Sequence, residues 1–256
     1  SRELDPAAMS GDALLVLVVN PPAFWNGTRT SPLDGQNLAR TFPGRPDGTA
    51  SDAIAYWLDQ VIFPHSDLYC DLHSAGLKLA MPPTAGYYTA DEPSRVAAYA
   101  FGAPVVWAHP DMPPGRTLSS IHGRGKAGIY VESRGGGRVH PDDLKLYKRG
   151  VYNLLRLMGI LPGEPEVPPV EMRLYGGGDL DQSLAAQQRG FLIPAVAVLD
   201  RVTAGQELGR IVDLHGECLQ LIPSPVDGVV VLTHEYPVVE KDEPLFFLTS
   251  DRPPQD

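Results

Sequence analysis

Between Leu161 and Pro169 the chain reads LPGEPEVPP, four prolines in nine residues, and the hydrophobic pattern differs on its two sides. Proline locks φ and has no amide hydrogen, so such a stretch is stiff and extended and ends whatever element precedes it. Before it, apolar runs of strand length alternate with helical periodicity, which means an α/β sheet. After it come only short apolar runs separated by turn residues, which means an all-β unit. The 256 residues are therefore read as an α/β domain over 1–160, a linker over 161–169 and a small barrel-like β module over 170–256.

In the first part, Leu14–Val19 (LLVLVV) is a continuous apolar run closed by Asn20-Pro21-Pro22, and predicts a strand buried on both faces. From Ser51, as N-cap, Ile54, Trp57, Leu58, Val61 and Ile62 recur at helical spacing until Pro64. Strands are predicted over Asp67–His73, Pro104–Ala108 and Gly128–Glu132. A second helix opens at Pro141-Asp142-Asp143, with proline and acids where the first turn favours them, and closes at Gly159. The sum is a mixed or mostly parallel sheet with flanking helices. In the module, strands are predicted over 195–199, 207–212, 218–222, 229–232 and 245–248.

Composition narrows the function. With 21 Lys plus Arg against 31 Asp plus Glu the net charge is −10, which repels a phosphate backbone or an anionic bilayer, so neither nucleic acid nor membrane is expected as a partner. No apolar run approaches the ~18 residues of a membrane span, and the first ten residues lack a signal-peptide pattern, so a cytoplasmic location is expected. Two cysteines are too few for a disulfide framework or a paired-cysteine zinc site.

Three segments carry chemistry. In Asp71-Leu72-His73-Ser74, residues two apart on a strand face one side, at the carboxyl end where α/β sheets place ligands. His73 there could hold a metal, or it could be a buried histidine hydrogen-bonded to a carboxylate. The Gly/Pro loop from Gly27 to Gly44 carries Arg29 and Arg40, suited to bidentate carboxylate contacts or simply to solvent. Glu132 closes an apolar strand ahead of a glycine run. Burial would raise its pKa into a range useful for general acid–base work, whereas an ion pair with Arg134 or Arg138 would make it structural.

In this order, Asn20-Pro21, Arg29…Asp34-Gly35…Arg40-Thr-Phe-Pro-Gly44, Asp71-Leu-His73-Ser74 and the Glu132 strand resemble the succinylglutamate desuccinylase/aspartoacylase family, deacylases related to zinc carboxypeptidases. The resemblance covers most of the chain. The wording Ser31-Pro-Leu-Asp-Gly-Gln-Asn-Leu38 is most similar to the branch that deacetylates diaminobutyrate in ectoine breakdown. It implies a zinc-dependent hydrolase that removes an acyl group from an N-acylated small amino acid, cleaving an amide or ester. His73 would be a zinc ligand and Glu132 the general base, with Arg40, Arg29 and Asn37 binding the substrate. Two departures stand out. Ala39 replaces an asparagine usual in the loop. The family's upstream HxxE, which supplies two zinc ligands, is missing, since no histidine here is followed by glutamate at the third place. A catalytic zinc takes three protein ligands and one is present. The expectation is weak or no zinc binding, in either an N-terminal truncation or a naturally metal-less form. The alternative is a metal-free, non-catalytic relative or fragment that binds a small carboxylate. The β module resembles the family's small barrel and also biotinyl/lipoyl domains, but its Pro223–Gly228 turn lacks the lysine that would carry a cofactor. It reads as a cap or an oligomerisation surface, which leaves a homo-oligomer open.

Overall fold

The computed structural model describes residues 3–254. Its first sheet contains β1 (Leu68–Ser74), β3 (Thr84–Tyr88), β4 (Val105–His109), β5 (Ala127–Ser133) and β6 (Met172–Tyr175), while the two-residue β2 (Leu79–Ala80) leaves to pair elsewhere. The order is β1-β5-β3-β4-β6, parallel throughout except for the antiparallel β3–β5 pair. The helices are α1 (Pro21–Asn26), α2 (Ala50–Trp57), α3 (Glu92–Phe101), α4 (Thr117–Gly123) and α5 (Pro141–Leu157). None is long and apolar enough to cross a membrane.

Strand alternation divides this sheet into two functional faces. Ala85, Val106, Ile129 and Val131 turn toward α3 and α5 and pack with Ala97, Phe101 and Leu154. The intervening residues Asp71, His73, Tyr130 and Glu132 are thereby left for the opposite face. There α2, α4 and the 27–44 loop form a second core from Leu38, Phe42, Ala55, Phe63 and Ile121. The first helix expected begins slightly earlier than Ser51. Thr49 caps it, accepting from the Asp52 amide at 3.2 Å while Asp52 accepts from the Thr49 amide at 3.0 Å. It continues through a wider turn (Leu58–Ile62) and a 3-10 turn (Phe63–His65) that contains Pro64.

Two predicted strands are absent. Leu14–Val19 pairs with no described strand, and Leu14, Leu15, Val16 and Leu17 are exposed. An apolar run becomes a strand only where a neighbour satisfies its backbone groups, and none is offered here. Ala195–Leu199 turns back on itself instead, with Ala197 N–H bonded to Asp200 and Leu199 at φ +71°, a left-handed conformation incompatible with a strand.

The division of the chain is also less simple than a linker at 161–169. β6, beyond it, returns to the first sheet beside β4, and β2, before it, pairs with the module. The proline segment is itself anchored. The side chain of fully buried Asn153 donates to the Glu166 carbonyl (3.0 Å) and accepts its amide (2.8 Å).

The module adds β7 (Leu184–Ala185), β8 (Gly190–Pro194), β9 (Arg201–Val202), β10 (Glu207–Val212), β11 (Cys218–Pro223), β12 (Gly228–His234), β13 (Val238–Val239) and β14 (Pro244–Thr249). They form two antiparallel sheets, β11-β10-β8-β13 and β2-β12-β14-β7 with β9 beside β12. Leu192, Leu208 and Ile211 of one sheet share a core with Val230, Leu245 and Phe246 of the other. The opposite face of β12 sends Val229 and Val231 against Val105, Trp107 and Leu174 of the first sheet. β12 is therefore buried on both faces, as β4 of the first sheet is, and it welds the module to the wall of the site.

Candidate active site

The parallel register of β1 and β5 sets His73 opposite Glu132 and Asp71 opposite Tyr130, all four side chains on the face away from α3 and α5. Tyr147 of α5 holds that register from behind, donating to the His73 carbonyl at 2.6 Å and lying 3.0 Å from the Val131 carbonyl. His73 and Glu132 open on one cavity of about 1100 Å³, shared with Arg29, Arg40, Arg116 and, from the module, His234.

The electrostatics separate the two carboxylates. Asp71 Oδ2 lies 2.9 Å from His73 Nε2 and accepts from Thr117 at the start of α4. Burial resists a charge on Asp71, but His73 and these hydrogen bonds outweigh it and hold the carboxyl below its ordinary range. Burial likewise resists charge on His73, and Asp71, by charge and hydrogen bond, overcomes it and lifts the imidazole to about 9. Glu132 has no such partner. It is 8% exposed and its Oε2 has no hydrogen bond. Burial pushes it up to about 7, with the charge of Asp71 adding and those of His73 and Arg29 opposing. A carboxyl in that condition can exchange a proton near neutrality. Among the described residues neither arginine makes the ion pair that would have made it structural: Arg134 is taken by Asp143 at 2.9 Å, and Arg138 pairs with no carboxylate.

Beside Glu132, Tyr130 and His109 form a second buried pair. His109 Nδ1 lies 2.9 Å from the Gly176 carbonyl, which can only accept, so Nδ1 carries the proton and Nε2 accepts from the Tyr130 hydroxyl at 2.8 Å. Burial pushes His109 down to about 4, keeping it neutral.

The 27–44 loop is fastened to α2 through Asp34, which accepts from the Gln36 amide (3.0 Å) and from the Ser51 amide (2.7 Å) and hydroxyl (3.1 Å). Those bonds hold its carboxyl down at about 2. Asn37, expected at the substrate, lines the cavity but spends Oδ1 on capping the 3-10 turn Leu38–Arg40, accepting the Ala39 amide at 3.1 Å. Arg40 leaves that turn toward the cavity, and its fork is filled. Nε and Nη2 donate to the two carboxylate oxygens of Asp181 at 2.7 and 2.9 Å. Arg116 stands next to it, donating to Asp179 at 2.8 Å and lying 3.6 Å from Asp181. Arg29 is exposed and makes no ion pair among the described residues, yet its charge is felt by His73 and Glu132.

Sequence reasoning did not reach Tyr130, His109, Arg116, Asp179 or Asp181. Tyr130 had a signal, since it precedes Glu132 by two on one strand. The aspartates had none, because their partners lie more than sixty residues away.

The described residues do not by themselves make a zinc site. They contain no group of three or more His, Cys, Asp or Glu able to hold a metal ion, and His73, opposite Glu132 in the register, has its Nε2 against Asp71.

Residues 1–158 match the succinylglutamate desuccinylase/aspartoacylase catalytic domain. The chain belongs to this family. It is 33% identical over 220 residues to an N-alpha-acetyl-L-2,4-diaminobutyric acid deacetylase of Halomonas elongata, covering 84% of this chain and 64% of that relative. The chain thus spans a little under two thirds of that protein's length. Among solved structures, a succinylglutamate desuccinylase/aspartoacylase from Rhodobacter sphaeroides superposes with a TM-score of 0.86 at 29% identity, over 99% of this chain and 79% of that one. The product-bound ectoine utilization protein EutE (DoeB) of Ruegeria pomeroyi gives 0.89 at 27% identity, over 97% and 78%.

Proposed function

We propose that this chain carries the catalytic body of a hydrolase that removes the acyl group from an N-acylated small amino acid, at an amide or ester bond. The observation that supports this most is the side-by-side placement of His73 and an unpartnered Glu132 on one cavity with four arginines, Arg29, Arg40, Arg116 and Arg138. The kinship with a diaminobutyric acid deacetylase supports the N-acyl amino acid class. Glu132 takes a proton from the water that attacks the acyl carbonyl and gives it to the departing nitrogen or oxygen, so its own protonation is restored each turnover. Arg29 and Arg40 hold the substrate carboxylate, and Asn37 positions Arg40 by capping the turn that presents it. His73 is the residue that would ligate a metal. Zinc would enter only with ligands from beyond these residues.

The second reading, a metal-free relative that binds a small carboxylate without turning it over, draws on the described residues' offering no group of three side chains able to hold a metal ion. Glu132→Gln separates the two in whatever form of the protein shows activity. It keeps size and hydrogen bonding but cannot take a proton, so kcat falls by ~10²–10⁴-fold with metal content unchanged. Full activity per folded molecule would remove Glu132 from the chemistry. No turnover of any N-acyl amino acid, with carboxylate binding retained, would favour the second reading.

A further inference from the structure

The carboxylate clamp already contains a carboxylate. Asp181 occupies the Arg40 fork in the bidentate geometry that a substrate carboxylate would take, and Arg116 shares it. The two aspartates differ in freedom. Asp179 is held in place by Arg116, by the Gln182 side chain (3.3 Å) and by the Asp181 amide (3.4 Å). The Asp181 side chain is 55% exposed on a 3-10 turn (Leu180–Gln182) at the cavity rim. It is the member that can change partners.

A ligand carboxylate that enters the Arg40 fork must displace Asp181, and the displaced carboxylate remains beside it. For a purely anionic ligand this sets like charges together. For a ligand that also bears an ammonium group, the freed Asp181 gains a partner, and the quartet of Arg40, Arg116, Asp179 and Asp181, formally neutral, stays neutral around it. We propose that Asp181 is a specificity-determining residue that admits N-acyl amino acids with a cationic side chain and disfavours those with an apolar or anionic one. The inference rests on the deacylase reading of the same cavity and goes beyond it in naming the residue that reads the charge of the side chain.

The test is calorimetric titration of the 256-residue chain and its Asp181→Asn variant with two ligands of one shape, Nα-acetyl-L-ornithine and Nα-acetyl-L-norleucine, in which a methyl replaces the ammonium. The parent should prefer the ornithine compound by roughly two- to fivefold, the scale of one partly screened ion pair. Asp181→Asn should abolish that preference and tighten the norleucine compound, because the fork is no longer contested. A preference that survives in Asp181→Asn, or equal tightening of both ligands, overturns the inference while leaving the clamp intact. Failure of both ligands to bind either protein overturns the carboxylate clamp itself, and the inference with it.

Discussion

Replacing Gly86 by alanine would disturb the face that carries the site without replacing any titratable residue. Gly86 on β3 is the cross-strand partner of Tyr130 on β5, and the tyrosine ring lies over it. A Cβ at 86 would sit 2.0 Å from Cε1, 2.2 Å from Cζ and 2.5 Å from the hydroxyl oxygen of Tyr130, so the ring must leave. Overpacking of that kind costs about 1–3 kcal/mol. Moving the ring also breaks the hydroxyl's bond to His109 Nε2, and an orphaned buried acceptor costs about 1–3 kcal/mol more. The sum is about 2–6 kcal/mol, which at about 2–4 °C per kcal/mol for a chain of this size lowers the melting midpoint by about 4–24 °C. Differential scanning calorimetry reads it directly. Gly86→Ala combined with Tyr130→Ala should recover much of the steric part, since the added methyl then has room, while the His109 part remains. A midpoint within 1 °C of the parent in the single variant would refute the reasoning, because it would mean that the ring is not held where the contacts place it.

Other perturbations follow from the same geometry. In the metal-free chain, Asp71→Asn should lower the pKa of His73 well below about 9, since only the charge of Glu132 then opposes burial and Arg29, and an NMR titration of the ring protons would show it. By linkage, the parent gains stability from His73 that is complete below pH ~6.5 and lost as pH rises through about 9, and the variant should lack that alkaline loss. Asp34 has the opposite sign. Its depressed carboxyl contributes stability above pH ~4 that fades as pH falls toward 2, so Asp34→Asn should flatten the acid limb of a pH–stability curve. Arg40→Ala removes a two-pronged carboxylate contact used before and during reaction, so the loss should appear mainly as a KM raised by about 10–100-fold.

What the sequence disclosed depended on range. The helix over 141–157 and the strands ending in His73 and Glu132 were legible because their signals are local: proline and acids at a helix start, and period two along a strand. Leu14–Val19 misled because composition reports that a run is apolar and says nothing of whether a neighbour will pair with it. Val229–Leu232, equally apolar, did become a two-sided strand, because the first sheet covers one face and the module the other. The shared sheets of the two parts were illegible for the same reason, since β2 and β6 are too short to carry a pattern and acquire identity only from their partners. At the site, His73, Glu132 and the loop arginines could be named from the chain. That Arg40 would meet Asp181 could not, because 141 residues separate them.

Register connects these observations to function. Parallel pairing sets residues 73 and 132 opposite one another, and period two sets Asp71 and Tyr130 one step behind on the same face. From this placement Asp71 lies next to an imidazole and stays charged, while Glu132, on the neighbouring strand, keeps a buried Oε2 without a hydrogen bond and is raised to about 7. A slip of one residue between β1 and β5 would turn Glu132 into the core against α3 and α5, where Val131 now sits, and bring Val131 to the cavity. The device that resists the slip is Tyr147, whose hydroxyl engages carbonyls of both strands at once. Its ring is in turn placed by the edge of Phe101 across the α3–α5 contact. The protonation state available at the site thus depends on a helix contact on the far side of the sheet. Tyr147→Phe, which spares the packing and deletes the clamp, should therefore loosen the amides of β1 and β5 to hydrogen exchange before those of β3 and β4.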